Sequence, residues 1–241
     1  MPKSNGGEPS GNLLIRSLPD GERALIEPEL ERVPLEFKQV LEQSDRQLSH
    51  MWFPCTGVAS IVSQMADGGV VEVATIGREG VVGLAEILGA DRLAQTTFVQ
   101  VVGEADRIPV ARFREMSGQL PILGRTLLRY AAALVTQISQ GSACNRLHPV
   151  EARCARWLLM THDRVSGDRF RLTHEFLAAM LGVTRPSVTI AAGILQNAGL
   201  ITYARGQVDI LDRKRLEAAA CECYAIITDE FRHLVGPGRT T

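Results

Sequence analysis

The sequence predicts an α+β protein in which a region of short antiparallel strands comes first, a long helix follows, and a smaller helical unit ends the chain. Two observations indicate this order. Strand-like runs with turn signals between them are confined to residues 50–109, and apolar residues at helical spacing then cover about 25 positions. Many short strands at such intervals favour an antiparallel roll. With 241 residues, each region is long enough to bury a core of its own.

Composition and charge are those of an ordinary globular protein. The formal net charge is −1 and 45% of the residues are hydrophobic. No apolar run reaches the roughly 18 residues that a membrane span needs, and the N-terminus lacks the basic and apolar regions of a secretory signal. We therefore expect a cytoplasmic location and no membrane partner. Residues 1–12 are rich in Gly, Ser and Pro, and we expect them to be disordered.

The predicted roll occupies residues 13–118 and depends on three β-type runs. Turn signals rich in glycine and aspartate separate them, as in Asp67-Gly68-Gly69. The runs are VASIVS (58–63), VVEVATI (70–76) and TTFVQVV (96–102). Before them, the residues from Leu13 to about Leu48 look helical.

A long helix is predicted at residues 119–146, where apolar residues recur at alternating steps of three and four. This spacing is a heptad pattern typical of parallel helix dimers. We assign the dimer interface to Leu120, Leu123, Leu127, Tyr130, Leu134 and Gln137. The alternative is a helix packed lengthwise on its own roll, which a second apolar set (Leu128, Val135 and Ile138) would serve. Both can hold at once, with one stripe facing the roll and the other a partner chain.

A helix-turn-helix is predicted within residues 147–217. Thr173 is placed to cap a helix that runs to Leu181, and Gly182 supplies the left-handed conformation that ends it. Thr184 then caps a second helix. Two short helices joined by a tight glycine turn are typical of DNA-binding domains.

The segment after these helices predicts a wing. The sequence LITYARGQVDILD (200–212) has the pattern of strand, turn and strand, with Arg205 at the turn. A winged helix-turn-helix is therefore expected, followed by a C-terminal helix and tail at residues 218–241.

The start of the second helix carries groups suited to DNA. Hydroxyls and backbone N–H groups at a helix N-terminus bind phosphate oxygens, and an arginine there can reach guanine. The predicted DNA-binding residues are Thr173, His174, Thr184, Arg185, Ser187, Thr189 and Arg205. Residues 168–215 hold seven basic and four acidic residues, and this local positive excess favours a polyanionic partner.

This arrangement resembles the Crp/Fnr family of bacterial transcription regulators over about Leu13 to Leu216. The most specific stretch is LTHEFLAAMLGVTRPSVTIAAGILQNAGLI, which is similar to the family's DNA-binding signature. The resemblance implies a jelly-roll sensor like the cyclic-nucleotide-binding domains, a homodimer on a near-palindromic operator, and contact with RNA polymerase if the protein is an activator. It implies a base-reading role for Arg185 and phosphate contacts for Thr184 and Ser187.

Two departures affect the operator. Pro186 and Ile190 stand where family members often carry a glutamate and a second base-reading polar side chain. The operator of this chain is therefore not expected to be the familiar one.

The sensor region departs further from the family pattern. Cyclic-nucleotide binders of the family hold the ribose with a Gly-Glu pair and the phosphate with an arginine before Ser or Thr. Here Gly83 precedes a leucine, and Gln95 stands at the arginine position before Thr96. A buried phosphate without a cation carries an uncompensated desolvation cost, so we do not expect cyclic AMP or cyclic GMP. Gly83, Arg92, Gln95 and Thr96 are weak candidates for binding another effector.

The cysteines and histidines predict no metal site and no cofactor. The five cysteines form no C-x-x-C pair, and the first, Cys55, comes too late for the N-terminal cluster of iron-sulfur members of the family. The histidines lack spacing such as H-x-x-x-H. Buried, reduced thiols are therefore expected, with a redox role for Cys144 and Cys154 left open.

These observations together predict a homodimeric transcription regulator. The sequence contains no nucleophile elbow, phosphate loop or zincin pair, so an enzyme is not expected. The alternative is a sensory module that uses the roll to control a protein partner. The two differ in DNA affinity, because a DNA-binding protein loses affinity steeply as salt rises.

Overall fold

A computed structural model describes residues 10–235 and contains two antiparallel sheets, a long central helix and a C-terminal helical unit with a third sheet. The helices are α1 (Leu13–Arg16), α2 (Asp20–Ile26), α3 (Leu84–Ile87), α4 (Val110–Met116), α5 (Pro121–Leu147), α6 (Val150–His162), α7 (His174–Leu181), α8 (Arg185–Asn197), α9 (Arg213–Ala219) and α10 (Cys223–Val235). The strands are β1 (Glu31–Leu35), β2 (Val40–Glu42), β3 (His50–Pro54), β4 (Val58–Gln64), β5 (Val70–Ile76), β6 (Thr96–Val101), β7 (Gly103–Pro109), β8 (Arg169–Arg171), β9 (Ile201–Ala204) and β10 (Gln207–Ile210).

The N-terminal roll consists of two sheets with the strand orders β1-β7-β3 and β2-β6-β4-β5, and every strand pair in them is antiparallel. Apolar side chains from both sheets meet in a common core, in which Phe53, Ile76 and Ile108 are almost fully buried. The predicted α+β class and the three predicted strands at 58–63, 70–76 and 96–102 are confirmed.

The helix predicted from Leu13 to Leu48 is wrong beyond its first half. Helices α1 and α2 are followed by a single 3-10 turn at Glu27–Glu29, and the chain then forms strands β1 and β2. Strand β1 pairs with β7, which places Val33 opposite Ala105. This pairing partner lies some seventy positions away along the sequence, so local propensity could not indicate it.

The disorder predicted for residues 1–12 does not extend to its last three residues. Residues 1–9 lie outside the described part of the chain, but Ser10 and Asn12 are buried. Ser10 Oγ donates to Asp106 at 2.6 Å, and the Asn12 amide donates to the Pro54 and Gly80 carbonyls at 2.9 Å each. Asn12 also caps α1, so this segment is part of the roll.

Helix α5 is present as predicted and packs lengthwise on its own roll, but the residues assigned to a dimer interface are the ones that it buries there. The residues that we assigned to a dimer interface are buried within this one chain, none more than 3% exposed: Leu120, Leu123, Leu127, Tyr130, Leu134 and Gln137. We call this set the inner stripe. Instead, Leu128 and Val135 are 55% and 58% exposed. These two members of the second apolar set therefore face outward, whereas its third member, Ile138, is half-buried and packs against the core.

The physical reason is that the roll and α10 together cover the inner stripe. The Tyr130 ring lies against Gly80 of the roll, so closely that a Cβ added to Gly80 would come within 2.6 Å of the ring. The same ring also contacts the Phe231 ring of α10. The Glu22 carboxylate of α2 accepts hydrogen bonds from the backbone N–H groups of Ile122 and Leu123 at 2.7 and 2.8 Å. The helix start is thus fixed to the roll by an acidic side chain placed where the helix dipole favours it.

The C-terminal part begins after the break at His148-Pro149 and contains α6, the pair α7 and α8, and a small sheet of order β8-β10-β9. The predicted C-terminal helix is α10, and residues 236–241 of the predicted tail lie outside the described residues. No single helix of the described chain has the length and hydropathy needed to span a bilayer, while the bent pair α7 and α8 meets that test only jointly.

Candidate nucleic-acid interface and effector cavity

Helices α7 and α8 form a helix-turn-helix whose axes bend by 106°. Thr173 caps α7 by accepting a hydrogen bond from the Phe176 N–H at 3.1 Å. Gly182 ends α7 in the left-handed conformation, with φ of 63°, as the sequence predicts. Crossing angles near 90–120° are typical of this motif in DNA-binding proteins.

The N-terminal turn of α8 is open to solvent. Thr184 caps the helix through the Ser187 N–H at 3.4 Å, and the two hydroxyl oxygens lie 2.9 Å apart. Arg185 is exposed, and no carboxylate of residues 10–235 lies within ion-pair distance of its guanidinium. This end of the helix therefore presents hydroxyls and a cation to the outside at the positive end of the helix dipole, which is an arrangement that binds anions.

The inner face of α8 explains why its residues are small. Val188, Ala191, Ala192 and Leu195 are buried against α6 and α7. Alanine at the contact lets the helices approach closely, so that α8 sits firmly on the unit while its outer face stays free. On that outer face Ile190 and Ile194 are 66% and 49% exposed.

His174 and Thr189 have an internal role in addition to their position near the interface. The His174 Nδ1 lies 3.0 Å from the Thr189 hydroxyl, which also donates to the Arg185 carbonyl at 3.1 Å. The His174 ring packs on the Tyr203 ring of the wing with centroids 4.2 Å apart. Burial, with a smaller effect of Arg185, lowers the pKa of His174. Through these contacts the His174 ring joins α7, α8 and the wing.

The wing is a tight hairpin that ends at Arg205. Strands β9 and β10 are joined by Arg205 and Gly206, with φ of 51° and 73°. Positive φ at both central residues is the hairpin turn that matches the twist of antiparallel strands. The Arg205 side chain is exposed at the tip, beside the helix-turn-helix.

The winged unit packs on the roll through α6, α7 and the turn before α8, where a Cβ on Gly182 would lie 3.2 Å from the Val71 side chain of β5. The Trp157 indole N–H donates to the Glu72 carboxylate of β5 at 2.8 Å. The Phe176 ring of α7 lies against Phe37 and Phe98 of the roll, with centroids 6.2 and 6.3 Å away. The roll thus approaches the turn at Gly182, while Thr184 and Arg185 just after it stay exposed.

The roll contains a cavity of about 220 Å³ under α3 and α5. Two of the four predicted effector residues, Gly83 and Gln95, line this cavity. The other two are engaged elsewhere. Arg92 is exposed and pairs with Asp45 at 3.0 Å, and the Thr96 hydroxyl accepts from the Ser44 N–H at 3.2 Å.

The charge of this cavity does not suit an anion. Its lining is mostly apolar, and no lysine or arginine belongs to it among the described residues. The titratable side chain in the lining is Glu42, whose pKa burial raises to about 7. A carboxyl in an apolar cavity favours a neutral or cationic ligand over a phosphate.

Comparison with known sequences identifies the winged unit. Residues 152–219 match the Crp-like helix-turn-helix domain. No curated protein matches the chain significantly. The matched residues contain α7, α8 and the wing, so the predicted motif is confirmed as a helix-turn-helix of the Crp type.

Comparison with solved structures extends the likeness to the whole fold. FixK2 from Bradyrhizobium japonicum has a TM-score of 0.67 at 15% identity and covers 80% of this chain and 98% of its own. A CRP-family transcriptional regulator from Thermus thermophilus has a TM-score of 0.64 at 20% identity and covers 78% and 96%. The c-di-GMP-responsive regulator CLP from Xanthomonas campestris has a TM-score of 0.62 at 15% identity and covers 80% and 99%. The chain has the fold of these Crp/Fnr-type structures.

Proposed function

We propose that this protein is a cytoplasmic transcription regulator of the Crp/Fnr type, which binds a near-palindromic DNA site as a homodimer. The exposed N-terminal turn of α8 carries this proposal. It combines an arginine without an ion-pair partner among the described residues and two hydroxyls on a helix that packs closely against the rest of the unit. A helix of this kind enters the major groove with its N-terminal residues at the base edges.

The proposed contacts with DNA are of two kinds: some position α8 on the duplex, and others read the bases. The Thr184 and Ser187 hydroxyls bind phosphate oxygens and fix the register of α8 on the duplex. Arg185 donates two hydrogen bonds to one guanine. Ile190, which is 66% exposed, contacts a thymine methyl group from the same helix face. Arg205 reaches the backbone beside the groove.

The proposed dimer uses the outward face of α5. Leu128, Ala132, Val135 and Ser139 are exposed and follow one another at steps of four, three and four. We call this set the outer stripe. Its spacing is that of a parallel helix pair, and its leucine and valine are large apolar side chains that the monomer leaves exposed in the middle of this helix. Two copies joined here would place two α8 helices in successive major grooves, about 34 Å apart.

The roll in this proposal is a sensor for a ligand other than a cyclic nucleotide. The Glu42 carboxyl and the apolar lining of the cavity oppose a cyclic phosphate. Support for a sensor comes from the position of the cavity, which Ile138 of α5 helps to line. A ligand there would touch the helix that carries the dimer face.

The experiment that tests the function compares two arginine variants. Arg185→Ala should reduce the ratio of specific to non-specific DNA affinity by about 10- to 100-fold, because one bidentate base contact is worth about 1–3 kcal/mol. Arg232→Ala on α10 removes the same charge from an exposed position away from α8 and should leave the ratio unchanged. The measurement is a gel-shift titration on a selected site and on a scrambled duplex of equal length.

If wild type and Arg185→Ala had the same ratio of specific to non-specific DNA affinity, the assignment of α8 as the recognition helix would be contradicted. The competing function, a sensory module without DNA affinity, predicts no binding to either duplex at any salt concentration. A DNA-binding protein should instead lose non-specific affinity steeply as salt rises.

A further inference from the structure

Four side chains that can bind a metal meet where the long helix ends. They are Cys144 on the last turn of α5, His148 directly after it, and Cys221 and Cys223 at the start of α10. One ligand atom from each lies within 4.8 Å of every other. Cys144 and Cys223 are fully buried and Cys221 is 8% exposed, so the sulfur atoms face one another inside the protein.

We propose that these four residues form a structural zinc site of the Cys3His type. Three thiolates and one imidazole in tetrahedral arrangement are a common zinc ligand set. The Cys144 and Cys221 sulfurs are 3.4 Å apart, and the Cys223 sulfur is 3.5 Å from His148 Nδ1. Ligands at about 2.0–2.3 Å from a tetrahedral ion lie roughly 3.5–3.8 Å from one another, so the widest pairs need to close by about 1 Å.

The surroundings support the ligands in the way that metal sites require. The other His148 nitrogen, Nε2, lies 3.2 Å from the Glu222 carboxylate, which holds the ring with Nδ1 toward the sulfurs. The Gln140 amide donates to the Cys223 sulfur at 3.2 Å. A carboxylate behind a ligating histidine and an N–H donor to a thiolate are typical second contacts of zinc sites.

The position of the site gives it a structural consequence. The chain enters the winged unit at His148, after α5, and leaves it at Cys221, before α10. One ion bound here would therefore fix both connections to the winged unit. The zinc would hold the hinge at His148-Pro149 and tie α10 to the end of α5. This consequence does not depend on DNA binding.

The first test is metal uptake by the full-length protein. Zinc content measured by inductively coupled plasma mass spectrometry should be one ion per chain. After removal of zinc under reducing conditions, Co²⁺ should bind in equal amount and give the visible bands of a tetrahedral ion with a sulfur charge-transfer band. Cys144→Ser with Cys221→Ser should abolish these bands, whereas Cys154→Ala, which removes a buried thiol outside the cluster, should keep them.

The second test concerns the hinge and stays valid if the double variant folds poorly. Zinc removal should speed amide hydrogen exchange in peptides covering residues 144–152 in wild type and in Cys154→Ala. The site is contradicted if reduced wild type takes up no Co²⁺, if the double variant binds it equally, or if the native protein holds iron with acid-labile sulfide. The hinge role is contradicted if exchange is the same with and without zinc.

Discussion

Helices α5 and α8 both bury one face and expose the other, but their exposed faces are determined in different ways. In α8 the outward groups follow from the helix ends, because the Thr184 cap and the Gly182 turn fix where the helix starts and how it is oriented. In α5 two apolar stripes compete for the interior, and the roll together with α10 decides which one is covered. Helix ends are thus encoded locally, whereas the choice between two apolar faces depends on distant parts of the chain.

The largest effect that tests this comparison is expected for a charge in the inner stripe of α5. Leu127→Asp places an unpaired carboxylate at a position that is 3% exposed, and it should lower the free energy of unfolding by at least about 4 kcal/mol. Leu128→Asp, one residue further along the helix and 55% exposed, should change the stability of the monomer by less than about 1 kcal/mol. Urea unfolding monitored by circular dichroism at low protein concentration measures both. Similar losses for the two variants would mean that the stripes are assigned wrongly.

A smaller effect is expected for the outer stripe, and it concerns assembly rather than folding. Leu128→Asp with Val135→Asp puts four like charges at the centre of the proposed dimer face, two from each copy, so the protein should become a folded monomer. Multi-angle light scattering should give a mass close to 26.3 kDa in place of twice that value. Ala132→Ser, a mild polar change in the same stripe, serves as the control and should remain dimeric. A dimeric double variant would place the interface elsewhere.

The smallest effect is expected at the wing tip. Arg205→Ala should weaken binding to specific and scrambled DNA equally and reduce the slope of log affinity against log salt by about 0.9, because one phosphate contact is lost. Arg185→Ala should instead act mainly on the specific site. A change in sequence preference caused by Arg205→Ala would show that the wing reads bases.

The winged unit was largely predictable from the sequence because its signals are short-range. Thr173, Gly182 and Thr184 each act within one helical turn, and the Arg205-Gly206 turn lies between strands only two residues apart. The predicted DNA-binding residues lie together around the α8 N-terminus and the wing, with His174 turned inward against Tyr203. Their contacts with DNA stay predictions.

The roll and the metal cluster were harder to predict because they depend on distant residues. Strand β1 forms only through its pairing with β7, and Asn12 is ordered by carbonyl groups of Pro54 and Gly80. The cluster joins a C-x-x-x-H pair at the end of α5 to a C-x-C pair at the start of α10. Neither pair alone has the usual zinc spacing, and the absence of C-x-x-C led to the expectation of no metal site. A search for two short pairs of ligands, each on one helix end, would have found it.

Selection of binding sites from a random DNA pool tests the central claim most directly. If α8 enters the major groove in two copies, the enriched sequences should form an inverted repeat whose half-sites lie about 10–10.5 base pairs apart, centre to centre, with a guanine in each half-site that Arg185→Ala no longer selects. Enrichment of a single unpaired half-site would contradict the paired arrangement, and the absence of any enriched sequence would contradict the assignment of α8 as a recognition helix.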